Sequence, residues 1–191
     1  MISALLKYAS DQGLYSEPGF KRKSRVKWAL RFDGDGNYQG IMELGDITEK
    51  KNAGATFDRA PHLTDGELNG ISSRLAKDVT SADQMACHFL IESASVVTGP
   101  DDADVSPEAE KARKKHRFFV KLLADAATAI KELGSVAVSL RNEATLVRIR
   151  EDLKNKSAKP TDSTTLMIGT TRVVEMDAWH DWWRQFRAQH C

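Results

Sequence analysis

The chain has 191 residues, enough for one well-buried core or for one domain with a small appendage. Hydrophobic residues make up 41% and charged residues 29%, which is ordinary for a globular protein and excludes disordered and fibrous classes. The formal net charge of +1 excludes a chain-wide basic coat or an acidic tail, so electrostatic recognition must rest on local clusters.

The two cysteines, Cys87 and Cys191, do not form a spaced framework, which points to a reducing compartment and to a buried free thiol at Cys87. The opening Met1 to Leu6 is interrupted by Lys7, Tyr8 and Asp11, too soon for a secretory signal. No run approaches the ~20 apolar residues that span a bilayer. The expectation is a cytoplasmic protein with no membrane partner.

Taken in chain order, residues 2–12 predict a short amphipathic helix with Ile2, Leu5, Leu6 and Ala9 on one face, ended by Gly13. Residues 25–33 alternate, with Val26, Trp28, Leu30 and Phe32 on one side and Lys27, Ala29, Arg31 and Asp33 on the other. Turn chemistry over Asp33 to Asn37 and a second strand from Tyr38 to Leu44 complete a β-hairpin. From Ile47 to Val79 the pattern weakens around Gly54, Pro61, Gly66 and Gly70, and a long irregular loop is expected. Residues 81–97 predict a helix capped by Ser81, ending at Gly99-Pro100, followed by an acidic linker at Asp101, Asp102 and Asp104.

Ser106-Pro107 is a strong helix start, and that helix is expected to run to Leu133 and stop at Gly134. A helix over 140–154 follows. Leu166 to Ile168 and Arg172 to Val174 read as two short strands around Gly169, and Asp177 caps a last helix. The fold class is α+β: an N-terminal helix and antiparallel hairpin packed with a helical region, then a small second hairpin and a Trp-rich helix. The chain reads as a single domain, 1–191, with parts at 1–80, 81–160 and 161–191.

Candidate chemistry is sparse. Asp33-x-Asp35-x-Asn37 opens like a calcium loop, but the twelfth position falls on Leu44 and the sixth on Tyr38, so the segment reads as a turn. The histidines at 62, 88, 116, 180 and 190 lack metal-ligand spacing. Neither a phosphate loop, a nucleophile elbow nor paired histidine ligands occur, so no catalytic residue, cofactor or metal is expected. Trp179, Trp182, Trp183 and Phe186 form a helical stripe, a pattern that suits a core or a partner interface better than base stacking. The stripe, beside Arg184 and Arg187, is assigned to a partner interface.

Two basic clusters remain. Lys21, Arg22, Lys23, Arg25, Lys27 and Arg31 have no acidic residue among them, and Lys27 and Arg31 share the strand face opposite Trp28. Such a group can neutralise phosphates, or it can be a solvated strand face; the residues alone leave both open. Arg113 to Arg117 lies downstream of Glu108 and Glu110 and reads as an exposed helical face with local ion pairs.

The order of segments carries a further signal. Met1-Ile2-Ser3-Ala4-Leu5-Leu6-Lys7-Tyr8, then Gly19-Phe20, then the strand into Phe32-Asp33-Gly34-Asp35-Gly36-Asn37-Tyr38 resembles the start of the large subunit of the type I-C CRISPR surveillance complex, Cascade. His88 to Gly99, Ala112 to Phe119, and the hairpin and Trp-rich helix over 166–186 are similar to later segments of that family. The resemblance spans the chain but only the N-terminal portion of the family, whose members are several times longer. It implies that Cys191 opens a further, cysteine-led segment. The family's Arg-rich, proline-flanked stretch after the hairpin is matched here only by Arg59-Ala60-Pro61.

The resemblance implies a non-catalytic module that recognises the protospacer-adjacent motif (PAM) on double-stranded DNA and helps open the duplex in antiviral defence, while guide RNA reads the sequence. It implies as partners crRNA, the other Cascade subunits and a recruited helicase–nuclease. On that reading Lys21, Arg22, Lys23, Arg25, Lys27 and Arg31 contact phosphates. Lys50, Lys51, Asn52 and Arg59 become candidates for the groove, with Asn52 or Arg59 discriminating bases. The alternative is an assembly module that docks guide RNA or neighbouring subunits without reading the duplex.

Overall fold

A 13-residue strand, β1 (Phe20–Phe32), is the spine of the protein in the computed structural model, which describes residues 17–45, 53–78 and 85–191. Trp28, Leu30 and Phe32 project into the core from one face, and Ala29 is buried on the other, so the middle of the strand is covered on both sides. β2 (Tyr38–Glu43) returns antiparallel against its C-terminal half, from Phe32↔Tyr38 to Trp28↔Glu43. The turn between them is built by the Asp33 carboxylate, which accepts from the backbone N–H groups of Asp35 at 3.0 Å and Asn37 at 2.8 Å. It is an Asx-type turn.

The stretch read as an irregular loop contains two regular elements, which corrects that expectation. β3 (Ala55–Pro61) pairs antiparallel with the N-terminal half of β1, and α1 (Asp65–Asp78) follows. Two register shifts along the β1–β3 ladder break the period-2 pattern that would have revealed the strand. Gly66 and Gly70 lower the intrinsic propensity of α1. Its start is nevertheless a reciprocal capping box: Glu67 accepts from the Thr64 N–H at 2.7 Å, and the Glu67 N–H faces Thr64 Oγ1 at 3.3 Å.

The helix expected over 81–97 is also corrected over its described part, 85–97. Ala86, Cys87, Phe89, Leu90 and Ile91 are buried in an irregular, bent run, followed by the two-residue β4 (Glu92–Ser93) and the short helix α2 (Ala94–Thr98). Leu90 adopts φ +61, and the Glu92 carboxylate takes the His88 N–H at 2.6 Å, so the helical ladder cannot form there. A continuous apolar run buried on every side has no periodicity to tell it from a helix.

Ser106 caps α3 (Pro107–Asp125) through its Oγ, which accepts from the Ala109 N–H at 3.1 Å. The helix ends at Asp125 rather than Leu133; a 3-10 turn (Ala126–Thr128) and a separate helix, α4 (Glu132–Ser139), follow. Gly134, read as a stop, lies inside α4, where a Cβ would stand 3.3 Å from the Ala127 methyl. It serves close packing instead. α5 (Glu143–Asn155), capped by Asn142, leads into β5 (Ser163–Ile168).

β5 runs parallel to β1 over Val26 to Phe32, so the sheet is mixed, in the order β2-β1-β5-β4. β6 (Thr171–Arg172) turns back on β5, and a 3-10 turn (Val173–Glu175) precedes the last helix, α6 (Ala178–His190). The architecture is α+β, with strands and helices sharing one contiguous core. The helix expected over 2–12 lies outside the described residues. Among the described residues, no helix is long and apolar enough to cross a membrane.

Candidate nucleic-acid interface

The basic stretch occupies the N-terminal half of β1, where the strand emerges from the core. Lys21, Arg22, Lys23, Ser24 and Arg25 are all exposed, between buried Phe20 and buried Val26. Arg22 meets Asp58 of β3 at 3.3 Å, a pair about three-quarters or more exposed on both sides and therefore of little energetic weight. Arg25 sits at the second register shift with φ +60, a left-handed conformation unusual for a side chain of that size, and Gly54 packs directly against its backbone. Arg31 is exposed at the far end of the strand.

Lys27 departs from the expectation that it is exposed together with Arg31. Its Nζ lies 2.8 Å from Asp162, whose carboxylate also accepts from the Trp28 indole N–H at 3.2 Å. The lysine is tied to the sheet, and its charge is compensated.

Arg59 lies in β3, not in a loop. It pairs with Glu17 at 2.8 Å and stacks its guanidinium 4.8 Å from the Phe20 ring centroid. Arg184 of α6 binds the same carboxylate at 2.6 Å and covers the same ring at 5.4 Å. The hydrogen bond from Arg184 is the main reason that the Glu17 carboxyl is held below its ordinary range, with Arg59 adding to it against the opposing effect of burial. Lys50, Lys51 and Asn52 lie outside the described residues.

Trp179, Trp183 and Phe186 of the Trp stripe are corrected from partner interface to core. Trp179 and Trp183 are fully buried and Phe186 nearly so, which leaves Trp182 as the one member with a partly open face. Phe89 stacks on Trp183 at 5.7 Å, and the Trp183 indole N–H donates to the Gly19 carbonyl at 2.7 Å. The indole of Trp179 donates to the Val174 carbonyl at 3.1 Å. Side chains satisfied this way hold the last helix to the start of β1 and have no free face for a second protein.

Beside Lys21 and Lys23 lies a feature that the sequence did not suggest. His62, just after β3, and His88, in the bent apolar run, stack with ring centroids 5.0 Å apart. They are 26 residues apart in the chain, so no local spacing could announce them. Nδ1 of His88 accepts from the Leu63 N–H at 3.0 Å, which fixes its neutral tautomer with the proton on Nε2. Burial, and then the positive charges of His62, Lys23 and Lys115, push the His88 pKa down to about 4. Burial, and then Lys21, lower that of His62 as well. The two lysines and two imidazoles thus share one electropositive corner.

Among the described residues, no group of three or more histidine, cysteine or carboxylate side chains could hold a metal ion. Cys87 is buried, and burial raises its thiol pKa far from the reactive range. No protein-family model matches the chain, and no curated protein matches it.

Proposed function

We propose that this chain is a nucleic-acid-binding module that grips duplex DNA through the N-terminal half of β1. On the order of its segments, we further propose that it is the N-terminal portion of the large subunit of a type I-C CRISPR surveillance complex. In that role it contributes to PAM recognition and duplex opening in antiviral defence, in the cytoplasm, alongside crRNA, the other complex subunits and the recruited helicase–nuclease.

The observation that carries the DNA reading is the run Lys21, Arg22, Lys23 and Arg25: four cations within five residues, all exposed on one end of a rigid central strand. Among the described residues neither Lys21 nor Lys23 has an ion-pair partner, and the Arg22–Asp58 pair is exposed enough to exchange for a phosphate. Arg31 is a weaker candidate, isolated at the far end. Lys27 is withdrawn by Asp162, and Arg59 by Glu17.

A duplex-binding titration at several salt concentrations tests this. If the four cations each displace a counterion, replacing all four by alanine lowers the slope of log K against log salt by about 3–4 and weakens binding for every flanking sequence. An unchanged slope removes the assignment. Loss of all duplex binding by the unaltered chain, with guide RNA or a neighbouring subunit still retained, transfers the function to the assembly reading.

A further inference from the structure

The corner between β1, β3 and the bent apolar run encloses a cleft of about 120 Å³, lined by Lys21, Arg22, Lys23, His62 and His88, with Ala60, Pro61 and Ile91 as its apolar wall. We propose that this cleft binds one phosphate group, held by the Lys21 and Lys23 ammonium groups and by ring N–H donors of His62 and His88. The proposal deepens the nucleic-acid reading by naming a single phosphate subsite, and rests on that reading for the ligand's source.

Three features argue for it. The first is size. A cleft of 120 Å³ has room for about four waters, at ~30 Å³ each, which suits one tetrahedral oxyanion. It falls short of the ~300 Å³ at which pockets for drug-sized ligands begin.

The second is the backbone. Lys21 pairs with Ala60 and Lys23 with Phe57, so β3 uses one more residue than β1 across this step. A regular strand sends alternate side chains to opposite faces. At this irregularity, where the extra residue lies on β3, the consecutive residues Lys21, Arg22 and Lys23 of β1 all border the same cleft.

The third is charge and donor direction. The lining contains no carboxylate. The Leu63 N–H occupies His88 Nδ1, so Nε2 carries the ring proton and is a donor without any need for protonation. Nearby acids are otherwise engaged: Glu92 accepts from the backbone of His88 and Ser93, and Glu67 from Thr64 and Arg187. Asp65 and Glu67 of α1 act on His62 against the lysines, but burial and Lys21 outweigh them. Lys115 of α3 adds positive charge behind His88.

The test is a titration of the full chain with inorganic phosphate at pH 7, followed by the ring resonances of its histidines, with sodium chloride at matched ionic strength as control. Saturable shifts at His62 and His88, with His116 and His180 unmoved, are expected. Lys21→Ala and Lys23→Ala should each weaken phosphate binding about tenfold, as loss of one charge-assisted hydrogen bond does. Both lysines are exposed, so the variants keep their fold, and His62→Gln gives an independent loss of one donor.

Repeating the titration with a duplex lacking terminal phosphates, and with the same duplex 5′-phosphorylated, separates the sources. Shifts with both identify a backbone phosphodiester, and shifts only with the second identify a monoester end. Rings that stay silent with every phosphate source, or that shift equally in the Lys21→Ala/Lys23→Ala double variant, overturn the proposal. Duplex binding with silent rings leaves the DNA reading standing without the cleft. Ring shifts with phosphate and no duplex binding do the reverse.

Discussion

The Lys27 ammonium lies 2.8 Å from the Asp162 carboxylate and joins the middle of β1 to the turn that begins β5. Asp162 also accepts from the Trp28 indole N–H and from the Lys159 N–H at 3.0 Å, so one carboxylate sets the register of two parallel strands with no short connection between them. Burial opposes ionisation of this group, and the hydrogen bonds from Lys27, Lys159 and Trp28 overcome it, leaving its pKa below the ordinary value. Asp162→Asn should cost about 2 kcal/mol of stability, the scale of a charge-assisted hydrogen bond in a sheltered site. The same change frees Lys27 beside the proposed DNA-binding stretch, so duplex binding should tighten while the protein melts earlier. A variant that loses stability and binding together would show that Lys27 acts only through the fold.

The junction between the first described residues and the last helix makes a second prediction. The Gly19 carbonyl accepts from both Trp183 Nε1 at 2.7 Å and the His62 N–H at 2.9 Å. Gly19 has φ +89, and a Cβ there would stand 2.5 Å from Cδ of Arg187, which is held in place by Glu67. Gly19→Ala therefore adds backbone strain to a clash that cannot relax freely, and should destabilise by about 2 kcal/mol or more in chemical denaturation. Trp183→Phe keeps the apolar bulk and loses only the indole donor. Because His62 still serves the carbonyl, that loss should be about 1 kcal/mol. If Trp183→Phe proves the more damaging of the two, the strain argument at Gly19 is wrong.

The start of α1 is a third place to measure. Thr64 and Glu67 exchange hydrogen bonds as a capping box, and Glu67 also pairs with Arg187. Thr64→Ala should cost about 1 kcal/mol, or about 2–4 °C in Tm for a chain of this size. Glu67→Gln keeps the box but weakens the pair, which is mostly buried on both sides. Its cost should exceed that of Thr64→Ala, and the reverse order would locate the stabilisation in the cap alone.

That capping box was present in the sequence as Thr64-Asp65-Gly66-Glu67, and it is the signal that could have recovered α1 from the stretch read as a loop. Regular alternation made β2 and the C-terminal half of β1 readable, and Ser106-Pro107 made the start of α3 readable, because in each case a local rule decides the outcome. The strand begins at Phe20 rather than at 25, and its five consecutive exposed residues, 21–25, carry no alternation. The elements that were missed depend on distant partners. β3 exists because β1 has an open edge, and its register shifts hide its period. The bent run over 85–91 is apolar because the core surrounds it, and its path follows from Leu90 and the Glu92 carboxylate. The candidate site divides in the same way. The exposed cations are contiguous in the chain and legible, but their compensation by Asp162 and Glu17 is not. Nor is the pairing of His62 with His88, which only the fold brings together.

That histidine pair also governs the response to acid. His88 is neutral in the folded protein, with burial and neighbouring positive charge holding its pKa at about 4, against ~6.5 in the unfolded chain. Between those values the unfolded chain binds the proton and the folded protein does not. The stabilisation from His88 is therefore present above pH ~6.5 and is lost as pH falls towards 4, by no more than about 3 kcal/mol. His62, His116 and His180 are shifted down by burial and act in the same direction. Glu92, whose pKa burial raises, acts in the opposite one. A difference measurement isolates His88: His88→Asn keeps an acceptor near the position of Nδ1 for the Leu63 N–H but cannot take a proton. Denaturation of both proteins at several pH values from 7 to 4 should show the variant less stable at pH 7 and the gap narrowing as the pH falls. Below pH ~4 the wild type should lose further stability as Asp162 protonates and releases Lys27. Asp162→Asn should show a smaller second loss, the remainder belonging to carboxylates such as Glu17 and Glu67 that are also held below their ordinary range. A gap between wild type and His88→Asn that stays constant down to pH 4 would show that His88 titrates alike in the folded and unfolded chain, and that the positive corner around it is weaker than its geometry indicates.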